Sequence, residues 1–273
     1  MSWIRKINDT EELIIATDSR LRFGCAWDSC PKIFVPERKD FALAFAGDTM
    51  YAYPFIIQYL NVLQYHLRMR SRALDINHMV GHFTRIMNKM FSYITDLPVG
   101  EVVSIPEFKL IFAGFSWSQS CFRMWEIKYE PSQNRFVKGG LSSIMKNQIC
   151  LIGDYIPESK KKIYNLMKEK GKKPGDKFDM EPFEVLRDII RNNESHLIGG
   201  PPQIVKIYRH INVLPFGVFW PNKETKKITL MGRTLLDYEM IENLILDPDT
   251  FETHSLKIAD EQYQREWDNG LPG

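Results

Sequence analysis

Leu13-Ile14-Ile15-Ala16-Thr17-Asp18-Ser19-Arg20 decides how this chain is read. A nearly continuous apolar run ends in a polar triplet. A strand that is apolar on both faces belongs in the interior of a layered protein, with something packed on each side. Ahead of it, residues 2–7 form a short mixed run and Asn8-Asp9-Thr10-Glu11 is turn material, so the two runs predict a β-hairpin.

Working outward, a loop with Gly24 and Pro31 leads to two more apolar runs, 32–35 and 41–46. Pro36-Glu37-Arg38-Lys39-Asp40 joins them as a second hairpin. Gly47-Asp48-Thr49 closes the strand, and Asp48 or Thr49 caps the helix that follows. That helix is predicted over 51–70, with Phe55, Tyr59, Val62, Leu63 and Leu67 at helical spacing. A second spans 76–95 on the stripe Met79, Phe83, Ile86, Met87, Met90 and Ile94. Both stripes read as core. Strands are predicted at 107–115, 121–129, 134–138 and 148–153, the last two completing a meander. Helices at 157–170 and 182–192 follow, separated by a loop over 171–176. Gly199-Gly200-Pro201-Pro202 breaks the chain before strands at 203–208, 213–220 and 228–232. The tail from Asp247 is polar and irregular, with a short helix over 260–267.

Regular alternation of strand and helix would predict a parallel, doubly wound sheet. Paired hairpins followed by paired helices predict instead an α+β fold: a four-layer αββα sandwich of two antiparallel sheets flanked by helices. We expect a single domain over 1–246 and a C-terminal extension over 247–273.

The composition suits a globular chain. Its 273 residues are 44% hydrophobic and 26% charged, with a net charge of +2. That excludes a disordered chain and gives no reason to expect a nucleic-acid partner. No window approaches the ~20 apolar residues of a membrane helix, and Met1-Ser2-Trp3-Ile4-Arg5-Lys6 lacks the apolar region of a secretion signal. The four cysteines, Cys25, Cys30, Cys121 and Cys150, read as reduced thiols, which implies a cytoplasmic location. The lysines at 160–162, 168, 170, 172 and 173 read as a solvated helix end and loop rather than an anionic docking patch.

Metal and cofactor signals are weak. Cys25-x4-Cys30 is half a zinc pattern without a second pair, and His78 and His82 lack the Glu of a metalloprotease helix. No P-loop and no Rossmann glycine fingerprint occurs. No cofactor and no metal are expected.

Three segments in order carry a resemblance: the stretch 13–20, then Pro31-Lys32-Ile33, then Ala44-Phe45-Ala46-Gly47-Asp48. Together they are similar to the opening of proteasome β-type subunits and their bacterial relatives, which have the N-terminal-nucleophile (Ntn) hydrolase fold. Leu110 to Gly114, Cys150-Leu151-Ile152-Gly153 and Gly199-Gly200-Pro201 resemble later strands and turns of the same family, covering about the first 235 residues. The resemblance implies hydrolysis of peptide or amide bonds by the first hydroxyl of the mature chain, with the free α-amine as base. Carried onto this sequence, Ser2 is the nucleophile once Met1 is removed. Asp18, sixteen residues on, holds Lys32, which supplies electrostatic support, and Gly47 N–H is the oxyanion donor.

Two departures touch this implication. Ile152-Gly153-Asp154 stands where the family has "IGSG", and Ser195-His196-Leu197-Ile198 where it has Asp-x-x-Ser before "GG". A carboxylate at Asp154 would raise the amine pKa and weaken it as a base. The alternative is an inactive proteasome-like scaffold, sensor or regulatory subunit. Either reading implies self-association into a dimer or ring; the first adds a peptide or protein substrate. Neither calls for nucleic acid or membrane.

Overall fold

The computed structural model describes residues 1–255 except 9, 98, 101–102, 141–148, 174 and 211. The helix expected over 260–267 lies outside them. The first hairpin forms as read: β1 (Ser2–Ile7) pairs antiparallel with β2 (Thr10–Thr17), Ser2 opposite Ile15. β3 (Leu21–Arg22) and β4 (Ala26–Trp27) make a two-stranded ribbon in what reads from sequence as a loop. The second hairpin is β5 (Ile33–Phe34) with β6 (Phe41–Gly47).

Asp48 caps α1 (Thr49–Tyr65), its side chain accepting from Met50 N–H at 2.8 Å. The helix expected over 51–70 breaks at His66, whose backbone is extended, and restarts as α2 (Leu67–Arg70). The break turns Met69 into the core and offers its carbonyl to the buried Arg38 guanidinium. α3 (Ile76–Phe91) starts from Asp75, which accepts from Asn77 N–H at 2.9 Å.

β7 (Phe108–Ser116), β8 (Cys121–Glu130) and β9 (Arg135–Gly140) extend the second hairpin into a five-stranded antiparallel sheet ordered β5-β6-β7-β8-β9. β10 (Ile149–Cys150) does not continue that meander; it crosses to pair with β1, Cys150 opposite Ser2. α4 (Ile156–Glu169) and α5 (Glu181–Arg191) follow. β11 (Gln203–Tyr208) pairs with β2 and with β12 (Asn212–Phe219). β12 also pairs with β13 (Ile228–Leu230), and β13 with β14 (Arg233–Thr234). β15 (Ile245–Leu246) lies parallel to β12, and β16 (Thr253–His254), in a stretch read as irregular, pairs with β15.

The expected four-layer sandwich of two antiparallel sheets is therefore corrected to a mostly antiparallel, three-sheet arrangement with few helices. The reason is local. β12 outlasts β11, and β15 takes up the edge of its last residues in parallel, so the nine-stranded sheet is mixed. Residues 21–27, too short to reach either large sheet, pair with themselves.

Buried side chains fall into three clusters. One joins Phe41, Phe45 and Phe112 to Phe55, Tyr59 and Phe83 of α1 and α3. A second joins Trp3, Ile14 and Ala16 to Ile163, Phe183 and Leu186 of α4 and α5. The third joins Leu13, Ile15 and Val205 to Ala42, Ala44 and Ile111, so the two large sheets bury apolar surface against each other. Alternate residues of β2 enter different clusters, which is why its sequence shows no polar face.

Candidate functional site

Asp18 follows the last residue of β2, and Lys32 precedes the first of β5. Lys32 Nζ lies 2.7 Å from Asp18 Oδ1. The other carboxylate oxygen accepts from Arg20 N–H and Gly199 N–H, both at 3.1 Å. Only 11% of the lysine side chain and 12% of the aspartate side chain are exposed. A carboxylate held by one cation and two backbone donors is fixed in place.

The surrounding loop is tied down by Arg20. Its guanidinium grips Asp28 through two contacts of 2.7 Å and donates to His196 O at 3.2 Å. Ser19 Oγ donates toward Pro201 O at 2.8 Å, joining the Asp18 segment to the turn after α5.

The chain terminus enters the same region. The β1–β2 register sets Met1 opposite Ala16, and the Met1 α-amine donates to Ala16 O at 2.8 Å. Burial lowers this amine from 8.0 to about 6; Cys150 and Asp18 oppose the shift and Lys32 adds to it. An amine in that range is a competent base near neutral pH. Ser2 points the other way. It is fully buried, and its hydroxyl donates to Met124 Sδ at 3.1 Å on the face between the large sheets.

Met1, Asp18, Lys32 and Gly47 line one cleft of about 970 Å³; Ser2 is not among its lining residues and is buried on the other face of β1. Gly47 ends β6 at φ +103, and a Cβ there would come within 2.2 Å of Glu107 O. The positive φ and the close approach of the Glu107 backbone thus require a glycine here, and the residue also lines the cleft. The Gly153 turn packs against Ala46, and Asp154 lines the cleft beyond it. Leu197 and Ile198 line the wall where the resemblance implies polar support for the amine, and Ser195 Oγ accepts from Leu197 N–H at 3.3 Å instead.

The structure thus brings Asp18, Lys32 and Gly47 together and sets Ser2 apart while Met1 is present. Sequence reasoning missed Arg20 and the Met1 amine. Arg20 carried a signal, since it directly follows Asp18-Ser19; the depressed amine carried none, because its cause is burial by distant segments.

The remaining candidates lie elsewhere. Cys25 is exposed on the β3–β4 ribbon and Cys30 is buried after it. His78 and His82 sit on α3, with the His82 ring 6.3 Å from that of His66. Of the basic run, Lys162 pairs with Glu194 at 2.9 Å, Lys172 with Glu181 at 2.5 Å and Lys170 with Glu184. The Lys162 and Lys170 ammonium groups are part-exposed, as the solvated-helix reading has it, whereas Glu181 under Lys172 is buried.

No protein-family model matches the sequence, and no curated protein does. Solved structures match by fold. Anbu from Hyphomicrobium sp. strain MC1 aligns at 11% identity, covering 100% of this chain and 97% of its own, with a TM-score of 0.55. Anbu (ancestral beta-subunit) from Yersinia bercovieri aligns at 9% identity, 100% and 98% coverage, and TM-score 0.50. The Anbu complex from Pseudomonas aeruginosa, solved as a helical assembly, aligns at 11% identity, 100% and 98% coverage, and TM-score 0.52. These neighbours correct the resemblance to proteasome β-type subunits of the Ntn hydrolase family: they are ancestral-β-subunit proteins, proteasome-like but distinct. At such identities the likeness is one of fold alone, and the fold of this chain is Anbu-like.

Proposed function

We propose that this chain hydrolyses amide bonds with its own N-terminal residue as nucleophile, once Met1 has been removed. The observation that carries the reading is the Asp18–Lys32 pair, held at 2.7 Å on the same cleft as Gly47 and the chain terminus. Loss of Met1 moves the free α-amine to Ser2, whose side chain then leaves Met124 and turns toward the cleft. Ser2 Oγ then attacks the amide carbonyl carbon, and its proton passes to the α-amine. Lys32 and the Gly47 N–H stabilise the oxyanion. The amine delivers the proton to the leaving nitrogen, and water cleaves the resulting ester. The substrate is a peptide or a protein segment that fits the cleft.

The Pseudomonas aeruginosa neighbour forms a helical assembly, and we propose that this chain also self-associates. No helix among the described residues is long and apolar enough to cross a membrane. The four cysteines are free, which fits a reducing compartment such as the cytoplasm.

One observation favours a second reading. With Met1 in place, Ser2 is buried on Met124 and does not line the cleft. A chain that keeps Met1 is a non-catalytic, proteasome-like scaffold. Turnover of a fluorogenic peptide library by the wild-type chain and by Ser2→Ala separates the two. Activity lost in Ser2→Ala supports the hydrolase; activity equal in both, or absent from a wild-type chain that starts at Ser2, supports the scaffold.

A further inference from the structure

Gln203 opens β11 directly opposite Thr17, one residue before Asp18, and its side chain is buried, 1% exposed. A primary amide offers two acceptor sites and two donors, and here all four are used. Oε1 accepts from Lys32 N–H at 3.0 Å and Ile33 N–H at 3.3 Å. Nε2 donates to Cys30 O at 2.8 Å and Asp18 O at 3.2 Å. Exchanging oxygen and nitrogen would set donors against donors, so the partners fix the amide's orientation.

Every partner is a main-chain atom, and two belong to the residues of the ion pair. Asp18 continues from the nine-stranded sheet and Lys32 leads into the five-stranded one. β5 has only two residues; the Lys32 carbonyl accepts from Phe45 N–H of β6 at 3.2 Å, and the Lys32 N–H is left to the Gln203 amide. The Gln203 amide spans that gap. Gly232 closes over it: a Cβ there would come within 2.6 Å of Ser19 Cβ and 3.0 Å of Gln203 Nε2. Seated in this way, the amide sets the spacing of the two segments and with it the Lys32–Asp18 contact.

We propose that Gln203 is a positioning residue, holding the Lys32 and Asp18 main chains so that their side chains meet at the cleft. As a contribution to catalysis this rests on the hydrolase reading above; as a statement about the ion pair it does not. Gln203→Met keeps the approximate volume and removes all four hydrogen bonds. Gln203→Glu keeps the two acceptor contacts and removes both donors.

The test is acylation of the full-length chain by acetic anhydride, with the rate at each lysine read by peptide mass spectrometry. Lys32 should react about tenfold faster in Gln203→Met than in wild type, and less than that in Gln203→Glu, as its pairing loosens. Lys160 and Lys161 should react at unchanged rates. A cooperatively melting Gln203→Met with wild-type Lys32 reactivity would overturn the proposal. If that variant does not fold, wild-type Lys32 reactivity in Gln203→Glu would overturn it instead. Peptide turnover by the same samples is scored separately. A wild-type chain starting at Ser2 that turns over nothing defeats the hydrolase reading and leaves the Lys32 result standing. In an active chain, kcat should fall about tenfold or more in Gln203→Met with KM little changed, the pattern of misplaced catalytic groups.

Discussion

Lys32 Nζ meets Asp18 Oδ1 at 2.7 Å, although the two residues are fourteen apart in the chain and flank strands of different sheets. The contact is a product of the tertiary fold, since both residues lie outside the β3–β4 ribbon that separates them in the chain. Both side chains are nearly buried, so the pair is exposed to the full cost of losing one member.

Asp18→Asn keeps the shape and removes the charge, leaving the Lys32 cation without its counter-ion. We expect a loss of about 3 kcal/mol in stability, read from urea unfolding, because removing one partner of a buried pair strands the other. Hydrolysis should fall roughly 100-fold or more in the same variant. A stability loss under about 0.5 kcal/mol would mean that the pair behaves as a surface contact.

The Met1 amine predicts a pH dependence for the Met1-bearing chain. Its folded pKa of about 6 lies below the ordinary 8.0, so the unfolded chain binds more protons between those values. Stability therefore rises with pH across about 6 to 8 and levels off above, by roughly 2–3 kcal/mol in all. Urea midpoints at pH 5.5, 7 and 8.5 check this. His82, whose pKa is lowered by burial, Arg85 and His66, contributes with the same sign, so the comparison belongs in a His82→Gln background. A midpoint that does not change with pH there would show the amine to be solvated.

Arg38 and Asp40 form a second buried pair, away from the cleft. Their side chains are 2% and 0% exposed and meet in two parallel contacts of 2.8 and 2.6 Å. Arg38 also donates to Leu74 O at 2.8 Å and to Met69 O, tying the β5–β6 loop to the chain between α1 and α3. Asp40→Ala should cost about 3–5 kcal/mol with the cleft chemistry unchanged at permissive temperature. Arg38→Met with Asp40→Leu should cost less than Asp40→Ala alone. Thermal melts of the three variants check the order, and a double variant as unstable as the single one would contradict it.

What the sequence made legible was local. The apolar run from Leu13 announced a strand covered on both sides, and its residues do enter two different cores. The Asp48 cap and the stripes of α1 and α3 were readable because their partners lie within a few residues. The break at His66 was not, because the gain comes from Met69 reaching Arg38 across the structure. The pairing of β10 with β1 was also hidden, since two residues carry no periodicity. At the cleft, Asp18 and Lys32 were named from short motifs. Gln203 was not, because a buried amide that serves the backbone of segments about 170 residues away leaves no pattern in its own neighbourhood.

The most direct test is the identity and reactivity of the first residue. The purified chain is treated with a β-lactone probe, then intact mass and fragment spectra locate any adduct. The account predicts a chain that begins at Ser2 and carries one acyl group on its hydroxyl, with the adduct absent from Ser2→Ala. A chain that retains Met1, or one that begins at Ser2 and stays unlabelled while folded, would contradict it.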